Sequence, residues 1–357
     1  MTTVLIMAGG TGGHVFPALA VADVLRARAC KVVWLGTQRG IEARVVPAAG
    51  IPIEWVRVSG LRGKGLGSWF AAPFRLAQAL IDSFRAIRHC RPDVVLGLGG
   101  FVAGPGGLAA RVVGRPLVIH EQNAVAGLTN RILARLADTV AEAFPGSFAP
   151  DVGAIAIGNP VRRSIESLPV RCAMPRPHAH LLVFGGSQGA AVLNRTVPAA
   201  LALLEAAERP EVLHQTGRDR RDEVAAAYAA AGVVCDVREF IEDMAEAYAW
   251  ADLAVCRSGA LTVAELAAAG VPGLLVPFPA AVDDHQTANA RFLANRGGAV
   301  LVPESSLTPE FLAQQLRSLA GPDRRRRDAM AEAARRAAMP GAAERLADLC
   351  LAAGAGK

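Results

Sequence analysis

The chain has 357 residues, of which 52% are hydrophobic and 20% are charged, and its formal net charge is +6. This length allows two ordinary domains, and the large apolar fraction excludes a disordered chain. Aromatic residues make up only 5% of the sequence, which argues against a protein that binds nucleic acid by base stacking. The modest positive charge suits an anionic ligand or an anionic membrane surface, and we expect no nucleic-acid partner.

The cysteines and the N-terminus exclude several further classes. Six cysteines are scattered without a CxxC pair, so we expect reduced thiols rather than a disulfide framework or a zinc site. The sequence begins Met-Thr-Thr and runs directly into a short apolar segment, which is not the pattern of a signal peptide. No stretch reaches the roughly 18 apolar residues that a membrane span needs.

In the first half of the chain, short β-branched runs alternate with longer Ala- and Leu-rich segments. Strands are predicted over 4–7, 31–35, 53–56, 94–96 and 117–119, and helices over 16–28 and 73–89. The strands are almost continuously apolar, which is typical of a parallel sheet that is covered on both faces. Strands that alternate with helices predict βαβ units and a doubly wound sheet.

The same pattern restarts after residue 178. Strands are predicted over 181–184, 211–214, 233–237, 253–256 and 273–276, and helix returns from about 308 to 353. The predicted domains are 1–162 and 180–340, with a proline-containing linker over 163–179 and a C-terminal helix over 341–357 that packs back on the first domain. The predicted fold class is α/β, with two Rossmann-like domains whose parallel sheets face each other across a cleft.

Three glycine-rich loops follow predicted strands, at residues 7–14, 97–107 and 184–190. Glycine lets backbone N–H groups approach an anion closely, and the following helix N-terminus adds partial positive charge. A dinucleotide fingerprint is absent, because Val15 stands at its third glycine position and no acid follows the second strand. Tight turns alone would also need glycine, but three such loops in two domains favour a site for phosphates and sugar rings.

Polar residues near these loops are the candidates for chemistry. His14 opens a helix, where the positive end of the dipole favours a neutral imidazole that can act as a general base; a capping or solvent-facing histidine is the alternative. The segment 120–123 either contacts an acceptor or braces the site. Arg162 is a candidate phosphate ligand or a linker charge. Ser258 is a candidate N-cap, and Glu265 a candidate acceptor from ribose hydroxyls or a surface ion pair.

The segment 283–289 holds several polar groups suited to a sugar. No His, Cys or Asp cluster has the spacing of metal ligands, so we expect neither a bound metal nor a cofactor.

Six motifs occur in order along nearly the whole chain: GGTGGH at 9–14, GGFVAGP at 99–105, HEQN at 120–123, GNPVR at 158–162, GGSQGA at 185–190 and CRSGALT at 256–262. On these motifs the sequence resembles the MurG family of bacterial peptidoglycan N-acetylglucosaminyltransferases. The resemblance implies a GT-B fold and an inverting transfer of GlcNAc from UDP-GlcNAc to the C4 hydroxyl of MurNAc-pentapeptide in lipid I, which gives lipid II with a β-1,4 linkage. It also implies a peripheral protein on the cytoplasmic face of the bacterial inner membrane.

The same resemblance implies the site residues. His14 matches the residue proposed as the base, and Ile241 is expected to meet the uracil through backbone groups. The implied substrate contacts are Thr11, Gly12, Gly13, Asn123, Arg162, Ser187, Gln188, Ile241, Ala260, Leu261, Thr262, Val263, Ala264, Glu265, Gln286 and Asn289.

A lipid-linked acceptor requires a membrane contact, and residues 61–91 are suited to one. This segment carries six Lys or Arg side chains and the single acid Asp82. Phe74 belongs to an apolar stripe at helical spacing, and Trp69 and Phe70 precede it, so the three are predicted to contact an anionic membrane surface. The alternative is that the stripe packs on the sheet, as in an ordinary covering helix.

The sequence leaves two other functions open. A UDP-GlcNAc 2-epimerase would share the fold and would form product without an acceptor. A non-catalytic partner that binds a nucleotide sugar would bind UDP-GlcNAc without turnover.

Overall fold

The computed structural model describes residues 1–57, 72–170, 178–186 and 189–356. Two compact units make up the chain: one contains Met1–Arg162 and Gly341–Lys357, and the other contains Arg163–Pro340. Each unit is built on one sheet of parallel strands flanked by helices. Both units are Rossmann-like, which confirms the predicted α/β fold class.

The first unit has a seven-stranded sheet in the order β3-β2-β1-β4-β5-β6-β7. Its strands are β1 Thr3–Met7, β2 Lys31–Gly36, β3 Ile53–Trp55, β4 Val94–Gly97, β5 Leu117–Glu121, β6 Thr139–Glu142 and β7 Ile155–Ala156. Its first helices are α1 Gly12–Ala27, α2 Glu42–Ala48, α3 Ala72–Cys90, α4 Ala103–Val112 and α5 Leu128–Leu133.

Alternation along β1 shows why its sequence is apolar at every position. Val4 and Ile6 belong to the core on one face of the sheet, whereas Leu5 and Met7 belong to the core on the other face. Successive side chains of a strand point to opposite faces, so a strand covered on both sides needs apolar residues throughout.

The second unit has a six-stranded sheet in the order β10-β9-β8-β11-β12-β13. Its strands are β8 His180–Phe184, β9 Glu211–Gln215, β10 Cys235–Arg238, β11 Leu253–Cys256, β12 Gly273–Leu275 and β13 Ala299–Leu301. Its helices include α6 Arg163–Glu166, α7 Ala191–Ala202, α8 Arg221–Ala230, α9 Met244–Trp250, α10 Ala260–Ala269, α11 His285–Ala294, α12 Pro309–Ala320 and α13 Arg325–Ala337.

The ends of the second unit differ from the sequence prediction in two ways. The expected linker 163–179 begins with the short helix α6, whose Ile165 is fully buried and which packs against α9 and α10. The helical region expected from about 308 to 353, whose last part over 341–357 was predicted to pack back on the first domain, is divided into three helices. The last of them, α14 (Ala342–Ala355), packs on α1 and on β4 to β6 of the first unit.

Helix α3 packs on the protein with the side opposite Phe74 and Ile81 of its apolar stripe. Phe74 and Ile81, which belong to the stripe, are 80% and 49% exposed. On the buried side, the carboxylate of Asp82 accepts hydrogen bonds from Arg57 Nε at 3.0 Å and Nη2 at 2.8 Å. This ion pair lowers the pKa of Asp82. For these two residues, the interpretation of the stripe as a face that packs on the sheet is wrong.

Trp69 and Phe70, the other predicted membrane contacts, lie outside the described residues. Among the helices that the structure describes, none combines the length and the apolar character needed to cross a membrane.

Candidate active site

In each sheet, two neighbouring strands are followed by glycine-rich or polar loops, which therefore lie side by side: β1 and β4 in the first unit, and β8 and β11 in the second. In the first unit β1 lies between β2 and β4, so the chain leaves β1 and β4 toward helices on opposite sides of the sheet. In the second unit β8 lies between β9 and β11 in the same way. Ligands of open parallel sheets bind at such switch points, beyond the carboxyl ends of the strands. The loops after β1 and β4 are therefore the candidate site of the first unit, and the loops after β8 and β11 are the candidate site of the second unit.

A buried carboxylate that the sequence analysis missed holds the loop after β1. Glu42, at the start of α2, is fully buried. Its Oε2 accepts from the backbone N–H of Gly10 at 3.0 Å, and its Oε1 accepts from Thr37 N at 3.1 Å and Thr37 Oγ1 at 2.6 Å. A β-carbon at Gly9 would lie 2.7 Å from Oε1, so glycine there leaves room for the carboxylate.

His14 is part of a hydrogen-bonded chain that runs into the core of the first unit. Its Nδ1 lies 2.8 Å from Oε1 of Gln122, and Nε2 of Gln122 lies 3.0 Å from Nδ1 of His120. Nε2 of His120 lies 2.9 Å from the carbonyl oxygen of Gly158. Gln122 and His120 are almost completely buried, and burial lowers the pKa of His120 to about 4. Only His14 of the three side chains is partly exposed.

The loop after β4 meets both the imidazole and the first glycine loop. A β-carbon on Gly99, whose φ is +98°, would lie 2.9 Å from Cε1 of His14. One on Gly100, whose φ is +80°, would lie 2.4 Å from the carbonyl oxygen of Gly9. Gly106 lies within α4 instead. A β-carbon there would lie 2.3 Å from Sδ of Met7. The glycines of residues 97–107 thus serve the site at one end and helix packing at the other.

The predicted contacts Thr11, Gly12 and Gly13 surround the start of α1. Thr11 is the N-cap residue, and its carbonyl oxygen accepts from the backbone N–H groups of His14 and Val15 at 3.2 Å. Arg162 belongs to the same unit, with its guanidinium carbon 5.3 Å from the centre of the Phe16 ring. The structure therefore brings Arg162 and the first glycine loop to the same end of α1.

Asn123 is held by the neighbouring carboxylate. Oε1 of Glu121 accepts from the backbone N–H of Asn123 at 2.9 Å and from its Nδ2 at 3.1 Å. The other oxygen of Glu121 accepts from Gly127 N at 3.0 Å and from Nδ2 of Asn130 at 2.9 Å. Glu121 is 2% exposed. Within the segment 120–123, this buried carboxylate therefore holds Asn123 through its backbone N–H and its side chain.

The third glycine loop, after β8, contains Ser187 and Gln188, which lie outside the described residues. Its flanks are tightly packed: a β-carbon on Gly185 would lie 2.3 Å from the backbone N of Ala190, and one on Gly189 would lie 2.0 Å from the carbonyl oxygen of Thr216. Nε2 of Gln215 also donates to the carbonyl oxygen of Gly186 at 3.1 Å. The ends of β8 and β9 therefore anchor this loop.

Three polar residues meet beside the loop after β11. Oγ of Ser258 donates to the carbonyl oxygen of Gln286 at 2.9 Å, and Nδ2 of Asn289 donates to the carbonyl oxygen of Ser258 at 3.2 Å. Oε1 of Gln286 accepts from the backbone N–H of Phe278 at 2.9 Å. The expectation that Ser258 is an N-cap is wrong, because Gly259 takes that position at α10. The hydroxyl of Ser258 fixes the start of α11 instead.

Residues 260–265, all predicted contacts, form the first half of α10. Ala260 and Val263 are buried, whereas Leu261, Thr262 and Ala264 are half-buried. Glu265 is 5% exposed, and its Oε2 accepts from the hydroxyl of Tyr248 at 3.1 Å. The surface ion pair considered for Glu265 is therefore wrong, because this carboxylate is buried.

Ile241 lies between β10 and α9, and its side chain is buried at 3% exposure. The next helix, α9, is capped by Asp243, whose Oδ1 accepts from Ala245 N at 2.9 Å and Glu246 N at 3.0 Å. Ile241 is buried as a whole residue, and the contact of its backbone groups with the uracil stays a prediction.

Arg257 fixes the segment after β12. Its Nη1 lies 2.6 Å from Oε2 of Glu304 and donates to the carbonyl oxygens of Val276 at 3.2 Å and Pro277 at 3.0 Å. Its guanidinium carbon lies 5.3 Å from the centre of the Phe278 ring. These contacts orient the chain between β12 and α11, which includes Phe278, the hydrogen-bond partner of Gln286.

Among the described residues, no group of three or more His, Cys, Asp or Glu side chains is placed to hold a metal ion.

Comparisons with known proteins match this chain over nearly its whole length. The Glycosyltransferase family 28 N-terminal domain matches residues 4–142, and the Glycosyltransferase family 28 C-terminal domain matches residues 180–346. The chain belongs to glycosyltransferase family 28. It is a glycosyltransferase with the GT-B fold, as the six motifs predict.

Similar proteins include two that are named UDP-N-acetylglucosamine–N-acetylmuramyl-(pentapeptide) pyrophosphoryl-undecaprenol N-acetylglucosamine transferase. The protein from Nitrosococcus oceani is 58% identical over 98% of each chain, and the one from Methylococcus capsulatus is 56% identical over 98% of each chain. The crystal structure of Acinetobacter baumannii MurG has a TM-score of 0.83 and 43% identity, and covers 99% of this chain and 100% of that one.

Proposed function

We propose that this family 28 transferase moves GlcNAc from UDP-GlcNAc to the C4 hydroxyl of MurNAc-pentapeptide in lipid I, which yields lipid II for peptidoglycan synthesis. The observation that carries the proposal is full-length similarity to enzymes named for this transfer, at 58% and 56% identity. The proposed reaction is a single displacement at the anomeric carbon, so it inverts the configuration and forms a β-1,4 bond.

In the proposed mechanism, His14 is the base that removes the proton from the acceptor hydroxyl. His14 lies in the first turn of α1 and is partly exposed, and its ring lies close to Gly99 in the loop after β4. A general base accepts the proton in its neutral form. Glu42, Gly99 and Gly100 hold the loops on either side of this imidazole.

The second unit is proposed to bind the donor. Candidate contacts are the backbone of Ile241, the first half of α10, Gln286 and Asn289, and we place Ser187 and Gln188 beside the diphosphate. The departing UDP gains negative charge, which backbone N–H groups of the loop after β8 and the N-terminus of the twelve-residue α7 can stabilise. Glu265 is proposed to accept from ribose hydroxyls, and Thr11, Gly12, Gly13, Asn123 and Arg162 are further proposed substrate contacts. The proposal assigns no metal or cofactor to this step.

We further propose that the first unit rests on an anionic membrane surface, at the cytoplasmic face of the bacterial inner membrane. Helices α3, α4 and α5 expose large apolar side chains, among them Phe74 at 80%, Val112 at 66% and Leu128 at 60%. The same helices carry Arg75, Arg111 and Arg131. Exposed apolar groups beside cationic ones are what an anionic lipid surface binds. Trp69 and Phe70 are proposed to belong to the same surface.

The test is transfer of radiolabelled GlcNAc by the purified chain to a lipid I analogue, with parallel reactions that lack the acceptor. We expect labelled lipid product only when both substrates are present. Product that forms from UDP-GlcNAc alone would support the 2-epimerase alternative, and donor binding without any product would support the non-catalytic partner. Either outcome would overturn the proposed function.

A further inference from the structure

Two backbone carbonyl oxygens fix the direction of the hydrogen-bonded chain behind His14. A carbonyl oxygen can only accept a hydrogen bond, so any side-chain atom within bonding distance of it has to be a donor. One such oxygen belongs to Gly158 and faces His120, and the other belongs to His120 itself and faces Gln122. Both side chains are buried, so water does not replace either partner and the assignment of donors is determined by the protein.

The carbonyl oxygen of His120 determines the orientation of the Gln122 amide. The amide atom that lies 3.0 Å from this oxygen has to be the NH2 group, because the alternative would place two acceptors against each other in the core. The other amide atom, the oxygen, is then the one that lies 2.8 Å from Nδ1 of His14. This assignment needs no assumption about the protonation of either histidine.

The carbonyl oxygen of Gly158 independently gives the same result. Nε2 of His120 lies 2.9 Å from it and therefore carries a hydrogen. Burial lowers the pKa of His120 to about 4, so the ring is neutral near pH 7 and its Nδ1 is an acceptor. That Nδ1 lies 3.0 Å from Nε2 of Gln122, which again has to be the NH2 group.

We propose that Gln122 is a positioning residue, which holds neutral His14 in the Nδ1–H tautomer and leaves Nε2 as the nitrogen that accepts the proton. The donor at Nδ1 follows from the amide oxygen opposite it, since the other ring nitrogen of a neutral imidazole is then the acceptor. His14 Nε2 has no hydrogen-bond partner within the described part of the chain. The inference rests on the proposed function only where it gives Nε2 the acceptor hydroxyl as its proton source.

An amide in this position differs from a carboxylate in its effect on the charge of the neighbouring imidazole. A carboxylate next to imidazole favours the charged form and raises the pKa of the histidine. The neutral amide fixes the tautomer of the imidazole without adding that charge. In the reaction, the proton of the acceptor hydroxyl moves to Nε2 of His14, and the hydroxyl oxygen bonds to the anomeric carbon. The bond between the anomeric carbon and UDP breaks, and UDP leaves with its electron pair. Throughout this step Nδ1–H keeps donating to Oε1 of Gln122.

A second histidine provides an internal comparison, because the other unit holds it in the opposite tautomer. Nδ2 of Asn194 donates to the carbonyl oxygen of Thr216 at 3.1 Å, so its Oδ1, which lies 3.1 Å from Nε2 of His214, is the acceptor. His214 is therefore an Nε2–H imidazole, and its Nδ1 accepts from the hydroxyl of Tyr228 at 2.8 Å. The same kind of amide thus selects one ring nitrogen in each unit.

The test is the nitrogen NMR spectrum of the full chain labelled with ¹⁵N-histidine, with signals assigned by single His→Ala variants. In the unaltered chain at neutral pH we expect an Nδ1–H signal for His14 and Nε2–H signals for His120 and His214. An Nε2–H form of neutral His14 would overturn the proposal, and this measurement needs no variant of Gln122 that folds.

The variant Gln122→Leu then tests the role of the amide. We expect the His14 signals to move toward the Nε2–H form, whereas Asn194→Leu should change the signals of His214 and leave those of His14 in place. We also expect Gln122→Leu to lower kcat at least about tenfold, since a triad histidine in the wrong tautomer loses far more, with unchanged affinity for UDP-GlcNAc. An unchanged His14 tautomer in Gln122→Leu would overturn the positioning role. The expected spectra with no GlcNAc transfer would instead contradict only the proposed function.

Discussion

The carboxylate of Glu42 and the backbone N–H of Gly10 are joined by a hydrogen bond of 3.0 Å, which ties the start of α2 to the loop after β1. Gly10 has a φ of +91°, a conformation that glycine adopts readily and most other residues do not. The loop before His14 therefore depends on a buried charge 32 residues further along the chain. This relationship links the stability of the first unit to the geometry of its candidate base.

We predict that Glu42→Gln destabilises the chain by about 1–3 kcal/mol, because one of the donors on Gly10 or Thr37 then faces an NH2 group at this buried side chain. The free energy of unfolding in urea measures this loss. Glu332→Gln is the matched control: Glu332 forms an exposed ion pair with Arg336 within α13, and such pairs contribute little. Equal losses for the two variants would show that the carboxylate of Glu42 does not hold the loop.

We predict that His14→Ala lowers kcat about a hundredfold or more, the usual contribution of a general base. Affinity for UDP-GlcNAc should stay the same, because the proposed donor contacts of the second unit are untouched. Steady-state kinetics measure kcat, and isothermal titration with UDP-GlcNAc measures the affinity. His89→Ala removes an exposed histidine that pairs with Glu54 and should leave kcat unchanged. Turnover of His14→Ala close to that of His89→Ala would rule out His14 as the base.

We predict that the chain loses stability as the pH falls from about 6.5 to about 4, in part through His120. Burial lowers the pKa of His120 to about 4 in the folded chain, whereas an exposed histidine has a pKa of about 6.5. Between these values the unfolded chain binds more protons, so the free energy of unfolding falls with falling pH, by about 3 kcal/mol in total for this group.

Urea unfolding at several pH values between 7 and 5 measures this dependence. His120→Asn removes the titrating group and should reduce the slope of unfolding free energy against pH, even if the variant is less stable at every pH. His89→Asn, at an exposed site, should keep the slope of the unaltered chain. A slope in His120→Asn that equals the original one would mean that His120 titrates normally in the folded chain.

We predict that Phe74→Glu weakens binding to anionic vesicles at least about tenfold, because a large side chain can no longer be buried in lipid and a charge of the wrong sign is added. Vesicle sedimentation measures the affinity. Val234→Glu is the control, since Val234 is 94% exposed and belongs to the second unit. The double variant Trp69→Glu/Phe70→Glu should behave like Phe74→Glu. Vesicle binding that is unchanged in these variants would contradict the proposed membrane surface.

The sequence predicted most strands as short apolar runs, and missed β6, β7 and β13. The runs 4–7 and 181–184 fall within β1 and β8 because a strand buried on both faces has a continuous apolar signature. By contrast β7 has two residues and β13 has three. The two residues of β7 are too few to show a period, and pairing with β6 decides their conformation.

The sequence indicates a candidate site residue where a reactive side chain directly follows a predicted strand and a glycine loop. His14 follows a strand and a glycine loop, so its place at the sheet edge could be inferred. Nothing local distinguishes Glu42 from other acids at helix starts, because its burial depends on the loops after two separate strands. Ser258 shows the opposite error: a serine before a helix is typical of an N-cap, but the carbonyl of Gln286 competes for its hydroxyl.

The most direct test of the whole account is the structure of the product formed when the purified chain reacts with UDP-GlcNAc and a lipid I analogue in the presence of EDTA. The account predicts one β-1,4-linked GlcNAc on each converted lipid and one released UDP for each transfer, at a rate that the chelator does not change. An α-linked product, an epimerised nucleotide sugar formed without acceptor, or transfer that EDTA abolishes would contradict it.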